Sequence, residues 1–172
     1  MKRIAILGAE SSGKSTLAAA LAERFDTAWV PEYLREFVDT CARVPFEDDQ
    51  REIARIQLER EQEAAAGANA YLFCDTTPLM TALYSQFYWH RIDPEVARLA
   101  KPHAYALTLV AAPESPWEQD GLQRESEAVR QHIHEQLLAE LARRGIGYHL
   151  LTGSLAERIS QVEILLKSSQ PA

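Results

Sequence analysis

The octapeptide GAESSGKS, residues 8–15, follows the apolar run RIAIL and precedes a segment with helical spacing. It satisfies G-x-x-x-x-G-K-[ST] at every position. Its glycines let the backbone turn tightly and bring several N–H groups onto phosphate oxygens. The loop must therefore join a strand to the N-terminus of a helix, whose partial positive charge faces the same anion. Lys14 supplies a point charge for the outer phosphates, and Ser15 offers a hydroxyl to magnesium. The expected binding residues for a magnesium nucleoside triphosphate are Gly8, Glu10, Ser11, Ser12, Gly13, Lys14, Ser15 and Thr16. The motif does not name a reaction.

The remaining sequence alternates strands and helices. Ile4–Leu7, Ala28–Val30, Tyr71–Cys74, residues 105–110 (YALTLV) and GYHLL near residue 150 are short apolar runs that read as strands. Between them, helices are expected over Ser15–Phe25, Glu47–Ala66, Thr77–Tyr88, Pro94–Ala100 and a long stretch ending near Arg144. Leu155, Ile159, Val162 and Leu166 mark a closing helix. In the charge-rich Glu47–Ala66 helix, Ile53, Ile56 and Arg60 mark the expected inner face. Gly145 stands where a helix C-terminal glycine belongs. This order predicts an α/β fold with a five-stranded parallel sheet covered by helices on both faces.

In such a sheet, ligands gather at the carboxyl ends of the strands. Asp75 ends the third expected strand. It can orient magnesium, and it can also cap the helix that follows; the two roles coexist. Glu32 follows the second strand. Either it accepts the proton of an acceptor hydroxyl or it is a surface acid. Arg35 can bind phosphate or pair with Glu32 or Glu36. Residues 111–130, with Trp117, Asp120, Arg124 and Arg130, form an expected lid. Closure of such a segment excludes water and brings arginines to the transferring group. Trp117 either stacks on a flat cationic or aromatic ring or plugs the underside of the loop. Arg124 and Arg130 either serve the transfer or face solvent from a helix.

With 172 residues, one domain spanning 1–172 is expected. The net charge of −7 argues against nonspecific nucleic-acid binding. No run approaches the length of a membrane span. Cys41 and Cys74 form no CxxC pair, which fits a reducing, cytoplasmic setting.

Four blocks, GAESSGKSTL, PEYLREF, YLFCDTTPLMTALY and PWEQDGL, occur in this order. Together they resemble the ribosylnicotinamide kinase domain of NadR-type proteins, from residue 3 to about 165. The resemblance implies a P-loop kinase of the nucleoside/nucleotide kinase type. The implied reaction is ATP plus nicotinamide riboside giving nicotinamide mononucleotide plus ADP, a salvage step toward NAD. It implies Mg2+ at Ser15 and, through water, at Asp75, with Glu32 as the base; Lys14 and Asp75 are further catalytic candidates, and Arg124 and Arg130 join them as cations of the expected lid rather than through the resemblance. Glu32, Tyr33, Arg35, Trp117 and Asp120 match motif positions near the small-molecule substrate. The chain departs from the family pattern at Thr77, where a second acid is common, and at Gln123, where an arginine follows D-G-L. The acceptor and the lid arginine stay open on that account. No adenylyltransferase or helix-turn-helix segment accompanies the kinase blocks, so phosphorylation alone is expected.

Overall fold

The computed structural model describes residues 1–116 and 126–168. The strands are β1 Lys2–Leu7, β2 Ala28–Val30, β3 Tyr71–Asp75, β4 Leu107–Ala111 and β5 His149–Leu151. The helices are α1 Lys14–Arg24, α2 Tyr33–Cys41, α3 Asp49–Ala65, α4 Pro78–Trp89, α5 Pro94–Ala100, α6 Glu127–Arg144 and α7 Leu155–Ser168. All strand pairs are parallel, in the order β2-β3-β1-β4-β5. The five-stranded parallel sheet expected from the sequence is thus the one observed.

Alternation along β1 divides the core. Ile4 and Ile6 join Leu17, Leu21, Phe73, Leu109 and Val162 on the face covered by α1 and α7. Ala5 and Leu7 face the other way, with Leu79, Met80, Val110, Ile133 and Leu137 under α4 and α6. Side chains on successive strand residues point to opposite faces, so a strand buried on both must be apolar throughout. Each fully buried aliphatic side chain contributes about 1.5–3 kcal/mol relative to exposure.

Helix ends follow local chemistry. Asp93 caps α5 by accepting from the Glu95 N–H at 2.8 Å, with Pro94 in the first turn. Ser126 caps α6 by accepting from the Val129 N–H at 3.2 Å. Gly145 ends α6 with φ 66°, the left-handed region.

Two elements differ from expectation. The sequence reading assigns no element to residues 33–41, yet they form α2, with Phe37 and Val38 buried against Ile53. The inner face of α3 is Gln50, Ile53, Ala54, Gln57 and Glu61, not Ile53, Ile56 and Arg60. Three of those five are polar, and each has a structural reason. Gln57 meets backbone groups at the sheet edge. Gln50 lines the cleft described below. Glu61 accepts from the Tyr105 hydroxyl at 2.7 Å and lies 3.5 Å from the Arg3 guanidinium. Burial raises the Glu61 pKa.

The register sets the site. Ile6 pairs with Asp75, Leu7 with Val110 and Val30 with Cys74. The residues that leave β1, β2 and β3 therefore emerge side by side.

Candidate active site

The phosphate loop leaves β1 at Gly8, whose φ is 154°. A Cβ there would lie 2.8 Å from Ser12 Oγ and 3.0 Å from the Ala111 carbonyl, so no side chain fits. Ser11 and Gly13 also adopt positive φ, 54° and 84°. Ser12 Oγ donates to the Ala9 carbonyl at 2.7 Å, and Lys14 Nζ donates to the same oxygen at 3.0 Å. Gly13 caps α1, so the N-terminus of that helix opens onto the loop.

Ser15 Oγ donates to Asp75 Oδ2 at 2.5 Å. Asp75 is fully buried, and its Oδ1 makes no hydrogen bond among the described residues. A buried carboxylate oxygen without a hydrogen-bond partner, beside a motif hydroxyl, is the donor chemistry that hard cations take. Among the described residues no group of three or more His, Cys, Asp or Glu side chains could hold a metal ion. A cation here would thus complete its shell with phosphate oxygens and water.

Glu32 is half-buried and stands at the N-terminus of α2, where β2 ends. A cleft of about 650 Å3 runs beside it. It is lined by Gly8, Glu10, Ser11 and Lys14 of the phosphate loop, by Glu32 and Arg35, and by Met80, Tyr84, Tyr88 and Trp89 of α4. Tyr84 and Tyr88 lie nearly parallel, 15° apart, with ring centroids separated by 6.2 Å. Such a wall with acids nearby suits a flat cation. The sequence offers Trp117 as one candidate for such stacking and does not single out α4. The signal was present in YSQFYW, residues 84–89, an aromatic cluster on a helix end.

Gln57 holds the strand ends together. Its Oε1 accepts from the Tyr33 N–H at 2.9 Å, while Nε2 reaches the carbonyls of Pro31 and Asp75, each at 3.4 Å. One buried amide thus spans the backbone on both sides of Glu32 and the residue that carries the buried carboxylate.

The remaining expected residues lie in different settings. Tyr33 packs edge-on to Phe37 and beneath the Arg60 guanidinium, and it does not line the cleft. Glu36 pairs with Arg60 at 2.7 Å, which removes it as a partner reserved for Arg35. Thr77, where the family pattern often has a second acid, is buried at the start of α4 and also does not line the cleft. Thr16 is exposed on α1. Arg130 is buried, with donors on the carbonyls of Ser11 and Ser115. Trp117, Asp120, Gln123 and Arg124 lie outside the described residues, and so does the central part of the expected lid.

A phosphate loop at the end of the central strand, an acid ending the neighbouring strand and this strand order define a P-loop nucleotide-binding protein of the nucleoside/nucleotide-kinase-like architecture. Residues 3–158 match the family described as "AAA domain", and the chain belongs to that family. The NadR resemblance of its motifs is also met. The chain is 32% identical over 147 residues to the "Trifunctional NAD biosynthesis/regulator protein NadR" of Salmonella typhimurium, covering 82% of this chain and 35% of the relative. It therefore spans about a third of the length of the curated relatives it matches. A crystal structure of NadR in complex with NAD and AMP-PNP superposes with a TM-score of 0.80 at 20% identity, covering 99% of this chain and 51% of the other. NadR in complex with NR gives 0.79 at 21%, covering 96% and 51%. Deoxyadenosine kinase from M. mycoides gives 0.67 at 10%, covering 96% of this chain and 99% of that one.

Proposed function

We propose that this chain transfers the γ-phosphoryl group of ATP to the ribose 5'-hydroxyl of nicotinamide riboside, a step of NAD salvage. The observation that carries the reading is the cleft itself. The phosphate loop, Glu32 and aromatic side chains of α4 all line this one cleft. A nucleotide hydrolase or switch needs no acceptor pocket there. The kinship to NadR proteins, one of them solved in complex with NR, supports the acceptor.

The residues divide the work. Loop amides and Lys14 hold the phosphates, which positions the γ-phosphorus at the cleft. Ser15 and Asp75 would hold Mg2+, which when bound neutralises charge on the phosphate oxygens. Glu32 accepts the proton of the 5'-hydroxyl as its oxygen bonds to the γ-phosphorus. The bond from phosphorus to the β,γ-bridging oxygen breaks, and ADP leaves with that electron pair. Tyr84, Tyr88 and Trp89 face the cationic nicotinamide ring. Arg35, Trp117 and Asp120 remain substrate-side candidates, and Arg124 a lid candidate, within one kinase domain over 1–172 and a lid over 111–130. Two free cysteines fit a cytoplasmic setting. Among the described residues no helix is long and apolar enough to cross a membrane.

The test is an acceptor panel with MgATP. Nicotinamide riboside is expected to stimulate ADP release above every other nucleoside. Stimulation by another alcohol alone would reassign the acceptor, and no stimulation at all would favour a nucleotide-dependent regulatory module.

A further inference from the structure

Two arginines that do not line the cleft donate to carbonyls of the phosphate loop. Arg158, on α7, is 4% exposed. Its Nε donates to the Gly153 carbonyl at 3.0 Å, Nη1 to the Ser12 carbonyl at 2.8 Å and Nη2 to the Ala112 carbonyl at 2.9 Å. Arg130, in the first turn of α6, is 2% exposed. Its Nη1 donates to the Ser11 carbonyl at 3.0 Å and Nη2 to the Ser115 carbonyl at 2.7 Å. Each arginine pairs with one half-exposed acid, Glu114 at 3.4 Å and Glu127 at 2.6 Å. Buried arginines are rare unless they are paired, and a fork of donors on several carbonyls is a use lysine cannot copy.

Ser11 and Ser12 are consecutive. A trans peptide unit carries its N–H on the side opposite its C=O. Holding these two carbonyls against guanidinium groups therefore turns the amides of Ser12 and Gly13 the other way. These are loop amides of the kind that cradle phosphate in this motif. A cation on each carbonyl also polarises the peptide unit and strengthens its N–H as a donor. The same two side chains grip Ala112 and Ser115, just beyond β4. Loop orientation and the path of that segment are thus fixed by one pair of forks.

We propose that Arg158 and Arg130 are positioning residues for nucleotide binding. They aim the Ser12 and Gly13 amides at the phosphates and couple phosphate occupancy to residues 112–116. The inference rests on the phosphate-binding reading of the loop and not on the identity of the acceptor.

Calorimetric titration of MgATP into the full chain tests it, using Arg158→Lys and Arg130→Lys separately. Each variant keeps the charge and loses the fork. The Kd for MgATP is expected to rise about tenfold or more in variants that remain folded at the assay temperature, although the loss of buried hydrogen bonds lowers their melting temperature. Folded lysine variants that bind MgATP within twofold of the unaltered chain would overturn the proposal. A measurement on the unaltered chain decides the matter if the variants fold poorly. MgATP is expected to slow hydrogen exchange at Ser12 and Gly13 and also at Ala112, Glu114 and Ser115. Protection confined to residues 8–16 would overturn the coupling. A chain that binds MgATP but leaves nicotinamide riboside unchanged fails the proposed function and leaves this test intact.

Discussion

At the scale of single residues, the site rests on side chains whose backbone is constrained before any ligand arrives. Thr76 shows this most clearly. It is β-branched, yet its φ is 73°, and its N–H donates to the Ile6 carbonyl at 3.0 Å. A residue in that region costs on the order of 1–3 kcal/mol and persists only where its surroundings hold it. Here it separates the buried Asp75 carboxylate from the start of α4 and lines the cleft. Glu32 occupies the matching place on the next strand. Replacing Glu32 with Gln keeps the shape and removes the proposed proton acceptor. The variant is expected to bind MgATP with an unchanged Kd and to lose roughly 100-fold or more in kcat. Unchanged kcat would remove Glu32 as the base. Asp75 and Glu32 could be singled out from the sequence because each directly follows or ends an apolar run. The arginine forks could not. Their partners are carbonyl oxygens, which every residue carries, so no spacing announces them.

At the scale of elements, α3 was the hardest to read. Its charges suggest a solvated helix, and its outer face is one. The buried face is polar in part because it borders strand ends whose backbone groups need partners. Gln57 supplies several of them at once. Gln57→Ala is expected to lower kcat about 10- to 100-fold by letting the β2 and β3 ends drift, and to weaken MgATP binding because Asp75 moves with the β3 end. Steady-state and binding measurements on one preparation separate the two effects. Helix α2 was missed for another reason. It is 9 residues long and contains Val38, Thr40 and Cys41, none a strong helix former, so packing of Phe37 and Val38 on α3 decides its form. By contrast, β1, β3 and α1 could be read almost to the residue, since a motif and a continuous apolar run agree there. The C-terminal end of α6 carries a pH dependence. Arg143 and Arg144 hold the Glu140 carboxyl down to about 2 from its ordinary 4.5, and Arg144 also donates to the Ala100 carbonyl of α5 at 2.7 Å. A depressed carboxyl pKa contributes stability that is present above about pH 4.5 and is lost as pH falls toward 2. Glu140→Gln should therefore melt below the unaltered chain at pH 7, with the gap closing between pH 4.5 and 2. A gap independent of pH would contradict this.

At the scale of the whole molecule, the parallel sheet brings three strand ends into line, and the functional residues converge because of it. The alternating pattern of apolar runs and helical spacings announces that architecture. The aromatic wall is a different matter. Tyr84, Tyr88 and Trp89 share a cleft with Glu32 and the phosphate loop only through the fold, and that placement is tertiary. The phosphate-loop half of the candidate site is therefore readable from a motif, while the proposed acceptor half needs the fold. The most direct measurement follows the acceptor half. Phosphorus-31 NMR of the chain with MgATP and nicotinamide riboside is expected to show loss of the γ-phosphate signal of ATP and growth of a phosphomonoester signal. Nicotinamide mononucleotide should form in equal amount to ADP, and Glu32→Gln should suppress both. Inorganic phosphate appearing in place of the phosphomonoester, at a rate indifferent to nicotinamide riboside, would contradict the account.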